Sequence, residues 1–199
     1  MGSTLRPVEY EDMEYWNKRY SKEAKTGSGG FEWYPGHEAA ILEAVRRHCK
    51  AGAALEIGCG SSQLALLVSQ QGFHPVLATD LSQVVVEQCQ QRFAGHDGLE
   101  FRVMDCCALD SADAAWDLVL DKGTLDAVDC GGATSTVLQE VVRVLKQAGW
   151  YILVSCRDPA WRRAALDAHL HVADIQELRG PGNVSSPCPD AYIYCLQKR

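Results

Sequence analysis

Leu55-Glu56-Ile57-Gly58-Cys59-Gly60-Ser61-Ser62 is the stretch that decides the fold. An apolar run, Ala53 to Ile57, stops at two glycines spaced Gly-x-Gly, and a helical run from Gln63 to Gln70 follows the serine pair. The pattern reads strand, tight turn, helix. Glycine lacks a Cβ, so such a turn brings backbone close to a ligand. A second strand, with the apolar core Val76-Leu77-Ala78, ends at Thr79-Asp80. Asp80 follows Gly58 by 22 residues, the interval at which an acidic group meets a ribose. Together the turn and the carboxylate point to an adenosine-containing ligand.

A dinucleotide fingerprint needs a third glycine, where a pyrophosphate sits on the helix N-terminus. Here that position is Gln63, and nothing nearby replaces it. A Glu-x-Gly-x-Gly-Ser turn suits a ligand without a pyrophosphate, such as S-adenosylmethionine.

Outward from this turn the elements alternate. Helices are expected over about 37–50, 62–71, 82–93, 134–146 and 159–168, the third capped by Ser82. Strands are expected at 53–57, 76–80, 100–104, 116–120, 150–155, 171–178 and 191–197. The Gly180 to Asp190 stretch reads as a loop between the last two. This order predicts an α/β, Rossmann-like, doubly wound sheet of about seven strands, parallel except for an antiparallel C-terminal hairpin. One domain is expected over 1–199, with 1–36 as an N-terminal lid segment and 37–199 as the core.

In such sheets ligands bind at the carboxyl ends of the strands. Gly58, Cys59 and Gly60 end the first strand, Asp80 and Leu81 the second, Asp105 and Cys106 the third, and Asp121 and Lys122 the fourth. Asp80 would accept the ribose hydroxyls and Asp105 the adenine amino group, with Leu81 and Cys106 lining the ring. Near the N-terminus, Trp16 and Tyr20 are spaced i, i+4 and share a helix face. Aromatic faces attract a sulfonium or ammonium by cation–π interaction. The Thr26-Gly27-Ser28-Gly29-Gly30 stretch would let this segment act as a lid.

Composition bounds the rest. The 199 residues carry a net charge of −7 and no Lys/Arg run, which argues against a nucleic-acid partner. No stretch reaches the roughly 18 apolar residues of a membrane span, and the N-terminus lacks a signal-peptide core. The nine cysteines, odd in number, read as reduced thiols packed as small hydrophobes. No Cys-x-x-Cys or zinc spacing occurs, so no metal is expected. Adjacent Cys106-Cys107 is poor geometry for one metal, though a vicinal thiol pair can bind arsenic or oxidise. The six histidines are scattered and read as surface or packing residues. A cytoplasmic monomer is expected.

Val119-Leu120-Asp121-Lys122-Gly123-Thr124-Leu125-Asp126-Ala127 resembles the signature of the methyltransferase-like 13 group, within the class I, seven-stranded, S-adenosylmethionine-dependent methyltransferases. That group includes the elongation factor 1A lysine methyltransferases and the mitochondrial citrate synthase lysine methyltransferase. Glu14-Tyr15-Trp16-Asn17-Lys18-Arg19-Tyr20, Phe31-Glu32-Trp33-Tyr34, Asp80-Leu81-Ser82-Gln83-Val84-Val85-Val86 and Arg143-Val144-Leu145 are similar too. The resemblance covers roughly 13–156 and stops before Arg157 to Arg199. It implies that Trp16, Tyr20 and Trp33 close over the methionine end of the cofactor, that Lys122 reaches the cofactor, and that the substrate is a protein presenting a lysine.

Methyl transfer needs a neutral nucleophile held in line with S–CH₃ and shielded from water. Asp121 is the acidic group expected to orient the incoming amine, with Asp126 as runner-up. Three other readings remain: a methyltransferase acting on a small amine, thiol or arsenical, a cofactor-binding module without turnover, and a nicotinamide oxidoreductase, which the missing third glycine disfavours.

Overall fold

The computed structural model describes residues 12–26, 32–179 and 190–199. The expected flexible stretch 27–30, Phe31 and most of the expected 180–190 loop lie outside the described residues. Seven strands form one sheet in the order β3-β2-β1-β4-β5-β7-β6. They are β1 (Gly52–Ile57), β2 (Phe73–Asp80), β3 (Leu99–Val103), β4 (Trp116–Lys122), β5 (Leu145–Ser155), β6 (His171–Arg179) and β7 (Asp190–Gln197). β1 to β5 run parallel, and β7 is antiparallel to both β5 and β6. The order reverses between β1 and β4, and ligands of open α/β sheets bind at such a switch point.

The strands are apolar because helices cover both faces. Side chains alternate between two cores with the strand period of two. Ala54, Leu118, Leu120, Ile152 and Val154 face one core. Leu55, Ile57, Val119, Tyr151 and Leu153 face the other. The first core is covered by α1 (Met13–Thr26), α2 (Glu38–His48), α3 (Leu64–Ser69) and α4 (Gln83–Arg92), through residues such as Tyr20, Ile41, Val45, Leu64 and Val85. The second is covered by α5 (Thr124–Val128), α6 (Thr134–Val144) and α7 (Pro159–Asp167). In α6, Val137, Leu138, Val141 and Val144 form the buried stripe of an amphipathic helix. Ser82 caps α4, and Asp158 caps α7 by accepting from the Trp161 N–H at 2.9 Å ahead of Pro159.

Several boundaries differ from the sequence expectation. The helix expected at 134–146 ends at Val144, because Leu145 already pairs with Trp116 of β4. The chain then bends at Ala148, which is left-handed (φ 62°), before Trp150 resumes the ladder opposite Leu118. The helix expected at 62–71 shortens to 64–69, since the Ser62 hydroxyl accepts from the Leu64 N–H at 3.2 Å and starts it late. The short helix α5 was not anticipated at all. Arg143 explains part of its own sequence block: its guanidinium donates to the Ser111 carbonyl at 2.7 Å and the Leu109 carbonyl at 2.8 Å, tying down the β3–β4 connection.

Leu138 is fully buried at the centre of the α6 stripe. Leu138→Ala is expected to destabilise by about 2–5 kcal/mol through lost transfer energy and a residual cavity. Urea unfolding should show a lowered midpoint with an unchanged slope.

Candidate active site

A cavity of about 550 Å³ opens over the carboxyl ends of β1, β2 and β4. This is within the roughly 300–1,000 Å³ usual for small-molecule sites. Every residue expected to hold the cofactor lines it: Trp16, Tyr20, Trp33, Gly58, Cys59, Gly60, Asp80, Leu81, Asp105, Cys106 and Lys122.

The turn after β1 is shaped by what it packs against. Gly58 and Gly60 are left-handed, with φ of 61° and 53°. A Cβ on Gly58 would lie 2.0 Å from the Thr124 Oγ1, and one on Gly60 would lie 3.0 Å from the Tyr20 hydroxyl. Thus the space beside Gly58 is filled by the β4 turn, and a side chain there would collide with Thr124. Thr124 in turn donates to the Ile57 carbonyl at 2.9 Å.

Asp80 closes the turn from the other side. Its Oδ2 accepts from the Gly60 N–H and its Oδ1 from the Ser82 N–H, both at 2.9 Å. Each carboxylate oxygen has more than one acceptor position, so a diol on the cavity side can still donate to it. Asp105 is exposed at the end of the neighbouring strand β3, where its Oδ1 accepts from the Cys107 N–H at 2.8 Å.

The N-terminal segment covers the cavity and is held by polar contacts. The Ser82 hydroxyl donates to Asn17 Oδ1 at 2.6 Å, docking α1 on the start of α4. Trp16 stacks on Tyr20 with centroids 5.7 Å apart. The Arg19 guanidinium sits over Trp16 at 5.6 Å and over Trp33 at 5.2 Å, so a cation from the protein itself already joins these two rings. Lys122 pairs with Glu32 and donates to the Trp33 carbonyl at 3.2 Å. The Tyr34 hydroxyl donates to Asp126 Oδ2 at 2.8 Å.

Asp121 is not where the sequence reading put it. Its side chain is buried and does not line the cavity. It accepts from the Thr124 N–H at 2.8 Å, the Leu125 N–H at 3.1 Å and the Tyr151 hydroxyl at 2.8 Å. The physical reason is α5: a helix starting right after Gly123 leaves amides that need an acceptor, and Asp121 supplies it. Burial pushes the Asp121 carboxyl up to about 7, against the Tyr151 hydrogen bond and the two amides. Asp126 is the carboxylate that reaches the cavity wall. Besides Tyr34 it accepts from Ser155 Oγ at 2.6 Å, the Cys156 N–H at 2.8 Å and Arg162 Nη2 at 2.6 Å.

Sequence reasoning did not single out two further residues. Arg162 is wholly buried and joins Asp126 to Asp129 at 2.8 Å. Nothing in the sequence marks one arginine of the Arg162-Arg163 pair as the buried one. Glu56 is also buried, and neither of its carboxylate oxygens accepts a hydrogen bond among the described residues. Burial pushes its carboxyl up to about 8, with Lys122 opposing. An acidic residue inside the apolar run of β1 was its visible signal. The cavity therefore combines a close-approach glycine turn, carboxylate acceptors at Asp80 and Asp105 and a wall of aromatic rings, a set that suits an adenosine derivative.

Residues 55–153 match the methyltransferase domain family. The chain is 34% identical over 168 residues to the EEF1A lysine methyltransferase 4 of Mus musculus, covering 77% of this chain and 64% of that protein. It is 34% identical over 155 residues to the eEF1A lysine and N-terminal methyltransferase of Mus musculus, covering 74% of this chain and 22% of that protein. The chain thus spans about two-thirds or less of the length of these relatives. Among solved structures, the N-methyltransferase NodS of Bradyrhizobium japonicum in complex with S-adenosyl-L-homocysteine superposes with a TM-score of 0.76 at 15% identity, covering 96% of this chain and 99% of that one. The [4+2]-cyclase SpnF superposes with a TM-score of 0.69 at 18% identity, covering 85% and 83%. The matched segment, residues 55–153, belongs to the methyltransferase domain family, and the chain has the Rossmann-like fold of these structural neighbours. Within that family, the chain is similar to the eEF1A lysine methyltransferases.

A carboxyl group whose value is raised in the folded state favours folding while it is protonated. The stability it contributes is full below its unfolded value and is lost as pH rises through its folded one. For Glu56 this window runs from about 4.5 to about 8. Glu56→Gln is expected to keep a more constant melting temperature across that window than the parent protein, as measured by thermal scans of the ligand-free protein. A parallel decline in both would show that Glu56 is not a source of the pH dependence.

Proposed function

We propose that this chain transfers a methyl group from S-adenosylmethionine to a lysine side chain of a protein substrate. The observation that carries the reading is Asp80: its carboxylate fixes the glycine turn through Gly60 and still offers acceptor positions to the cavity. On this reading Asp80 takes the ribose hydroxyls, Asp105 the adenine amino group, and Leu81 and Cys106 pack on the ring. Gly58, Cys59 and Gly60 supply the backbone beside the methionine end. Trp16, Tyr20 and Trp33 close over that end, and Lys122 holds the closing segment through Glu32 and the Trp33 carbonyl.

The cofactor brings the activated methyl group, so the chain has only to place the acceptor and exclude water. The covering segment performs the exclusion. The acceptor lysine must arrive as the free amine, and Asp126 is the carboxylate on the wall it would pass. Tyr34, Ser155, the Cys156 amide and Arg162 hold Asp126 in a fixed orientation and fill its acceptor positions, so an incoming amine would take the place of the Tyr34 hydroxyl. Asp121 acts beneath it, as the acceptor that holds α5. Elongation factor 1A is the first substrate to try, since the names of similar proteins specify it. Action in the cytoplasm fits that target, and among the described residues no helix is long and apolar enough to cross a membrane.

Incubation of the chain with tritiated S-adenosylmethionine and either purified elongation factor 1A or a cell lysate tests the reading. A labelled protein band whose label maps to lysine is expected. Label only in a small molecule, or no label, would overturn it.

Two substitutions test the assigned roles. Asp80→Ala is expected to weaken S-adenosylhomocysteine binding by about 1.5–3 kcal/mol per hydrogen bond lost, measured by calorimetry on protein shown to be folded. Asp126→Asn is expected to lower single-turnover rate by roughly 10²-fold with a smaller change in cofactor affinity. Asp121→Asn should instead lower melting temperature, with the folded fraction retaining turnover. A stable Asp121→Asn protein that binds cofactor normally but has lost turnover would restore Asp121 as the acceptor-orienting group.

A further inference from the structure

The end of β3 carries two adjacent thiols, of which Cys107 has no role in the cofactor site proposed above. Cys106 and Cys107 both line the cavity and are half-buried. They occupy the two central positions of a turn closed by the Ala108 N–H donating to the Asp105 carbonyl at 3.1 Å. The turn is braced by the Cys107 N–H on Asp105 Oδ1 at 2.8 Å. It brings the two Sγ atoms and an Asp105 carboxylate oxygen within 4.8 Å of one another. Adjacent residues in an extended strand would point their side chains to opposite faces; here the turn turns both thiols toward one opening. Cys59 and Cys89 also interact with each other, but they are 4% and 2% exposed, and Cys89 does not line the cavity.

We propose that Cys106 and Cys107 form a two-thiol site for trivalent arsenicals, and that an arsenical bound there excludes the cofactor. Sulfur is the preferred ligand of soft, thiophilic centres. Phenylarsine oxide is the simplest member of the class. Its arsenic forms two As–S bonds, its arsenic–oxygen bond breaks, and both thiol protons leave with the oxygen as water. Arsenic remains trivalent, so no oxidant or reductant takes part. Burial raises both thiols above their ordinary value, with Cys106 the more affected. Reagents that need a free thiolate are therefore slow here, whereas the arsenical accepts the thiol protons as it condenses. The adduct would stand on the wall assigned to adenine. The exclusion therefore rests on the cofactor reading above, while the two-thiol site itself does not.

The test uses the intact chain with one equivalent of phenylarsine oxide. Loss of two free thiols per arsenic is expected, with Cys106 and Cys107 the two residues protected, relative to untreated protein, when the remaining thiols are alkylated in denaturant and mapped. Release by 2,3-dimercaptopropanol but not by a monothiol is expected as well. Cys106→Ser and Cys107→Ser should each abolish this stable adduct, and Cys89→Ser should retain it. Protection of any other pair, or an undiminished adduct in both serine variants, would overturn the site. Saturating S-adenosylhomocysteine should slow uptake of the arsenical at least tenfold. If S-adenosylhomocysteine binds and uptake is unchanged, the exclusion is wrong. If calorimetry shows no S-adenosylhomocysteine binding to the unmodified chain, the cofactor reading fails and the mapped adduct still decides the two-thiol site.

Discussion

The contact between Gly58 and Thr124 is the constraint around which the site is built. At the switch point the chain leaves β1 and β4 toward opposite faces of the sheet, and the two turns that follow must share a narrow space. Glycine at 58 permits the approach, since any Cβ would overlap the Thr124 side chain. The hydroxyl of Thr124 then bonds back to the Ile57 carbonyl and locks the two turns together. From that contact outward, α5 must begin at once, its first amides need an acceptor, and Asp121 is buried to provide one. A buried carboxyl group is unfavourable unless its partners are complete. Tyr151 and two amides complete them here.

A second layer of buried charge hangs from the first. Arg162 reaches from α7 to Asp126 and Asp129, and Asp126 reaches on to Tyr34 in the covering segment. Replacing such a cluster with apolar groups is often neutral for stability, while removing one partner is strongly unfavourable. What the cluster supplies is position. It fixes a carboxylate on the cavity wall and attaches the cover to the floor, so that α7, the β4 turn and the N-terminal segment share one set of bonds.

The same fold serves an N-methyltransferase and a cyclase among its structural neighbours. Function therefore lies in the side chains at the sheet edge and in what covers them. In this chain the cover is joined to the site through Lys122 and Asp126, two members of a single nine-residue block. This gives the Val119 to Ala127 signature a physical meaning: it ends β4, starts α5 and bonds to Trp33 and Tyr34 of the N-terminal segment.

The sequence by itself determined the order of the seven strands along the chain, the parallel sheet with its antiparallel C-terminal hairpin, and the set of residues that meet at the strand ends. Those depend on local periodicity, on glycine turns and on the rule that ligands gather at strand ends, all of which are written along the chain. It also marked Asp121 and Asp126 as the two candidate acids after β4. Which of them faces the cavity depended on α5, a helix too short to show a period, and on Tyr151, thirty residues away in another strand. Arg162 was hidden for a similar reason: an arginine on an amphipathic helix reads as solvated until the acids that surround it are brought in from elsewhere. The end of α6 was misjudged because Leu145 suits a helix locally but finds Trp116 across the sheet. Local pattern fixed the scaffold, and only tertiary packing decided which polar groups were buried, which were paired, and which were left facing the cavity.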